Sequence, residues 1–154
     1  MNTRIVSVTS VYCPPPSAAN GSTLDIFLNE FGTLLKELVV TDVELLIVGN
    51  FNFCMDDLRD GNAIRFSRLF ETFDLQPHMN APTHLYGHIL DLVITRSAAV
   101  SLVSNFCIAE QPISDHKAIT FNLTLSKPPN IRKSVVSRAL KNLDVEAFND
   151  AVNL

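Results

Sequence analysis

Apolar positions along the chain change period several times, and each change marks an element. Residues 4–12, RIVSVTSVY, gather Ile5, Val6, Val8, Val11 and Tyr12 into a β-branched run that predicts a strand. It ends at CPPPSAANGS, where three prolines cannot join a ladder and Asn20-Gly21-Ser22 supplies turn and cap chemistry. From Thr23 onward Leu24, Phe27, Leu28, Phe31, Leu34, Leu35 and Leu38 recur in steps of three and four, predicting an amphipathic helix with Ser22 and Asp25 as its capping pair. ELLIV, residues 44–48, is apolar throughout and predicts a strand covered on both faces. A second helix is expected from about Asn62 to Thr72, where Ala63, Phe66, Leu69 and Phe70 keep helical spacing and Phe73 continues the stripe.

QPHMNAPTHLYGH reads as a long irregular loop, HILDLVITR as a buried strand and SLVSNFCIA as a weaker one. Residues 117–125 alternate cleanly, with Ile119, Phe121, Leu123 and Leu125 on one face, which predicts a half-exposed strand. Strands interleaved with helices and followed by consecutive strands imply an α/β domain with a mixed sheet or sheets. This domain is expected to span residues 1–126, leaving 127–154 as a basic linker in which Asp144 caps a short helix. The first strand is apolar enough to want neighbours on both sides, yet nothing precedes it to supply one.

With 47% hydrophobic and 18% charged residues, the composition fits a packed domain and excludes a disordered one. No apolar stretch approaches the roughly 18 residues of a membrane span, and the start alternates instead of forming a signal-peptide core. A soluble, unsecreted, intracellular protein, nuclear or cytoplasmic, is the expectation. Cys13, Cys54 and Cys107 are odd in number and widely spaced, as reduced thiols would be. The net charge of −4 gives no general attraction to phosphate. Lys127, Arg132, Lys133, Arg138 and Lys141 do make the tail basic, either as a solvated linker or as a nucleic-acid contact.

Candidate chemistry falls at strand ends and loops: Tyr12 in VYCPPP, Asn50 and Asn52 in VGNFN, Asp91 in LDLVIT, and Asp115-His116 in ISDHKAI. Each has an ordinary explanation when taken alone. Tyr12 can be a rim aromatic, and the two asparagines can close a turn. Asp91 is harder to dismiss, because a carboxylate in an apolar strand needs a partner. His116 can be that partner: a carboxylate on one ring nitrogen fixes the tautomer and orientation of the imidazole and favours its charged form. Asn52 and Tyr12 can then donate to the same phosphate oxygen, and Asp115 can orient a group or hold a divalent cation. The common hydrolase and nucleotide motifs, GxSxG, GxxxxGK[ST], HExxH and GxGxxG, do not occur. His78, His84 and His88 crowd one loop without a regular zinc spacing or a convincing fourth ligand.

In order, VYCPPP, ELLIVGNFNF, APTHLYGHILDLVITR and ISDHKAITF resemble the motifs of the endonuclease/exonuclease/phosphatase superfamily. Within it, they resemble the endonuclease domain of non-LTR retrotransposons. The resemblance covers residues 4–126 and implies a mixed-sheet β-sandwich flanked by helices. It further implies Mg²⁺- or Mn²⁺-dependent nicking of DNA phosphodiester bonds, with a downstream reverse transcriptase and no membrane association. Under it Tyr12 and Asn52 contact the scissile phosphate, His116 held by Asp91 stabilises the transition state, and Asp115 assists the metal or the histidine.

Two departures from the family pattern bear on activity. Position 50 belongs to the family's water-activating aspartate, and here it is Asn50, which can orient a water but cannot take its proton. General-base assistance is worth about 10² to 10⁴ in rate, so a loss in that range is expected. The family's amino-terminal half, with its metal-binding glutamate and an early asparagine, has no counterpart after Met1, so a truncated and weak or inactive enzyme is expected.

Overall fold

The computed structural model describes residues 5–15, 21, 23–57, 59–111, 113–125 and 144–152. Three layers are built from them: two helices, a four-stranded mixed sheet, and a two-stranded sheet on the opposite face. The first strand, β1, is Val6–Tyr12. Helix α1 (Leu24–Val39) follows, with the Thr23 hydroxyl accepting from the Ile26 amide at 3.3 Å. Thr23, and not the expected Ser22, is therefore the N-cap; Ser22 lies outside the described residues.

Strand β2 (Glu44–Asn50) leads to helix α2 (Gly61–Thr72), which Asp60 caps through the Asn62 amide at 2.9 Å. A short strand, β3 (Leu75–Pro77), opens the stretch expected to be irregular. Strand β4 spans Asp91–Arg96 and begins three residues later than HILDLVITR implied. A 3₁₀ turn at Ser97–Leu102 takes the first part of the next predicted strand before β5 (Val103–Ala109), and β6 is Ala118–Leu123. Helix α3 (Val145–Val152) is exposed and is preceded by Asp144, whose carboxylate caps it by accepting from the Glu146 and Ala147 amides at 3.1 Å each. The five basic tail residues lie outside the described residues.

The larger sheet has the order β1-β2-β4-β3, with β1 and β2 parallel and the other pairs antiparallel; β5 and β6 form the second sheet. Strand β2 is central and alternates between two cores. Leu45 and Ile47 face the helices together with Phe31, Leu35, Phe66, Phe70 and, from β4, Leu92 and Ile94. Leu46, with Val48, faces the second sheet through Val93, Leu102, Val103, Ile119 and Phe121. Both faces of β2 are thus covered, which accounts for its unbroken apolar run. Strand β1 has one strand neighbour among the described residues, and its Val8 and Tyr12 remain 60% and 66% exposed.

Beyond β2 the chain keeps its alternation: Phe51 and Phe53 are buried among Phe27, Phe31 and Phe66, with ring centroids 5.0–6.4 Å apart. Each fully buried phenylalanine contributes about 1.5–3 kcal/mol of transfer free energy, so this pair pins the end of β2 to the helices. Arg96 ties α1 to β4, donating to the Val39 and Thr41 carbonyls at 3.1 and 2.9 Å.

Gly49 lets β1 and β2 approach: a β-carbon there would stand 1.9 Å from the Val11 carbonyl oxygen. Gly49→Ala is therefore expected to destabilise the chain by about 3 kcal/mol or more, read as a lowered urea midpoint. An unchanged midpoint would mean that the two strands are not paired in this register.

Candidate active site

Register assembles the site. Across the first sheet Tyr12 pairs with Asn50, and Asn50 pairs with Asp91, so residues from three separate motifs share one row at the strand ends. All three have the sequence parity of the strand residues that face the second sheet. His116 arrives from the loop before β6, and its Nδ1 lies 2.8 Å from Asp91 Oδ2. Asp91 is the first residue of β4 and its side chain is 18% exposed, so it lies at the rim and not within the apolar run.

Asn50 holds two positions at once. Its Oδ1 accepts the Asn52 amide at 2.8 Å, which closes a turn, and this leaves Nδ2 directed at His116 Nε2, 3.4 Å away. The turn reading and the site reading describe the two ends of one side chain. Together they define the resting ring: Nδ1–H donates to Asp91, and the Nε2 lone pair accepts from Asn50.

Asn52 adopts φ 53°, which asparagine tolerates better than most residues, and donates Nδ2–H to the Cys13 carbonyl at 2.7 Å. One of its two N–H groups is therefore committed to the main chain. Cys13 is also held by its amide on the Asn50 carbonyl at 2.8 Å, and burial pushes its thiol up to about 11. That thiol is neutral near physiological pH and is not a nucleophile there. Tyr12 projects an exposed ring at the end of the row.

Residues with no role in the sequence reading complete the site. Thr83 is fully buried, and its hydroxyl oxygen accepts from the Leu90 and Asp91 amides at 3.0 Å each, fixing the main chain that carries Asp91. Its neighbour His84 places Nε2 3.1 Å from Asp115 Oδ2, and the His84 and His116 rings meet edge to face at 4.9 Å. Lys117 lines a cleft of about 340 Å³ between the sheets together with Asn50, Asp91 and Phe121. The available signal was position: PTH stands a few residues before Asp91, and Lys117 directly follows His116.

Asp115 is 63% exposed, and its carboxyl is held below the ordinary range chiefly by the hydrogen bond from His84, with help from its own amide and from both histidines. The loop histidines do not converge. His84 turns to Asp115, His88 to Asp56 at 3.3 Å, and His78 to the Thr95 hydroxyl at 2.8 Å.

A magnesium or manganese ion of the kind the resemblance implies takes oxygen ligands in near-octahedral array. Here Asp91 Oδ2 is engaged by His116, Asn50 Oδ1 by the Asn52 amide and Asp115 Oδ2 by His84, so the nearest carboxylates stand beside imidazoles and not beside further oxygens. Among the described residues that oxygen set is not assembled.

No protein-family profile and no curated protein matches the chain. Among solved structures it is similar to the endonuclease domain of TRAS1, a telomere-specific non-LTR retrotransposon, at 15% identity and a TM-score of 0.60. The match covers 75% of this chain and 56% of that domain. At this identity the likeness is one of fold: a mixed α/β sandwich flanked by helices. No described helix is long and apolar enough to cross a membrane.

Thr83→Val keeps the shape but removes the acceptor for two amides. Each buried amide left unpaired costs about 1–3 kcal/mol. The variant is expected to lose at least about 2 kcal/mol of unfolding free energy, and in NMR spectra the Asp91 amide should be among those most shifted. A change no larger than that of an exposed Thr→Val control would remove Thr83 from the site's support.

Proposed function

We propose that this chain is a DNA endonuclease domain of the type carried by non-LTR retrotransposons, retaining phosphate recognition and impaired in hydrolysis. The carrying observation is the Asp91–His116 contact at 2.8 Å with Asn50, not an acid, 3.4 Å from the far ring nitrogen. A proton taken up on Nε2 turns the ring into a donor for an anionic phosphate oxygen while Nδ1–H stays on Asp91. Tyr12 in the same row, the second N–H of Asn52 and Lys117, which lines the adjoining cleft, supply further donors.

The missing function is proton removal from the attacking water. Asn50 can hold a water but cannot accept its proton, and its oxygen is already engaged by the Asn52 amide. The shared fold with the TRAS1 endonuclease domain supports the class of reaction. Of the two carboxylates near the histidines, Asp91 is held on His116 Nδ1 and only Asp115 belongs to the His84–Asp115–His116 cluster, which supports the impairment.

On supercoiled plasmid with Mg²⁺ or Mn²⁺, nicking is expected no faster than that of His116→Ala, and Asn50→Asp alone is expected to restore nothing. Metal-dependent nicking abolished by His116→Ala would overturn the impairment. DNA binding that weakens steeply with added salt is expected, and absent binding would count against phosphate recognition.

A further inference from the structure

The same residues that fail to make a magnesium site form a nitrogen-rich one. His84, Asp115 and His116 each offer a ligand atom, all within 4.8 Å of one another. Two imidazoles and one carboxylate match zinc and its borderline neighbours, whereas magnesium and manganese favour oxygen. Main-chain bonds hold the two loops together: the Leu85 amide donates to the Asp115 carbonyl at 2.9 Å and the Lys117 amide to the Thr83 carbonyl at 2.7 Å. His116 is wired as metal-bound histidines commonly are, with Nδ1–H on the Asp91 carboxylate and an Nε2 lone pair that serves the ion once Asn50 Nδ2, 3.4 Å away, gives it up.

We propose that His84, Asp115 and His116 form a binding site for a zinc-class divalent ion. His84 must change tautomer to join it. Its Nδ1 accepts the Tyr86 amide at 3.2 Å, so in the metal-free chain Nε2 carries the proton and gives it to the hydrogen bond with Asp115. On binding, that proton moves to Nδ1 by way of solvent, the Tyr86 amide turns away, and Nε2 and Asp115 Oδ2 both face the ion. The turn that must yield is exposed: Leu85 and Tyr86 are 53% and 83% accessible, and Gly87 closes it at φ 86°. Water completes the coordination.

The inference goes beyond the endonuclease reading, and its test contains no nucleic acid, so either can fail without the other. The whole chain is titrated with Co²⁺, a spectroscopic stand-in for Zn²⁺, at neutral pH. One equivalent should give visible d–d absorption, displaced by Zn²⁺ and unaffected by millimolar Mg²⁺. Asp115→Asn, at an exposed carboxylate, and His84→Asn should each weaken binding about tenfold or more while thermal unfolding of Asp115→Asn stays near that of the parent. No absorption, an intense near-ultraviolet thiolate band, displacement by Mg²⁺, or binding untouched by Asp115→Asn would each overturn the site.

Discussion

The candidate site depends on the row Tyr12–Asn50–Asp91 across β1, β2 and β4. Side chains alternate along a strand, so a slip of one residue in either pairing would turn the slipped strand's residue toward the helices. Two features of the same short segment hold the register. Gly49 admits the Val11 carbonyl where any side chain would collide, and Phe51 and Phe53 bury themselves in the helix-side core on either side of Asn52. The apolar residues thereby decide where the amides between them point. Asn50 faces the second sheet because Phe51, the next residue, is buried in the helix-side core.

Around that row the support is largely main chain. Thr83 accepts two amides at the start of β4, Asn52 binds the Cys13 carbonyl at the end of β1, and paired amides lock the loop at 83–85 to that at 115–117. Among the described residues no buried side-chain polar atom lacks a partner. Leu85 and Tyr86, which follow the buried His84, are exposed. A fixed Asp91 and an exposed turn after His84 thus belong to one loop.

Much of this was legible in the sequence, because the elements announce themselves by period and the motifs fall at their ends. The contact between Asp91 and His116 follows from asking what a carboxylate beside an apolar strand could bind. What stayed hidden was directional. Nothing in VGNFN says that the Asn50 oxygen is used by the Asn52 amide, so its turn and site meanings looked like rivals. His84 read as one of three loop histidines, since only tertiary structure brings it to Asp115. SLVSNFCIA reads as a weaker strand because a 3₁₀ turn takes its first two residues and a register shift between Ser104 and Cys107 interrupts the alternation within β5.

The central claim is that the neutral His116 ring lies between a carboxylate acceptor at Nδ1 and an amide donor at Nε2. Long-range proton–nitrogen correlation spectra of the ring, recorded at a pH where it is neutral, test this directly. The structure predicts the proton on Nδ1 and a bare Nε2, opposite to the tautomer that free imidazole side chains favour in water. A proton found on Nε2 would contradict it, because neither Asp91 nor Asn50 could then occupy the position described.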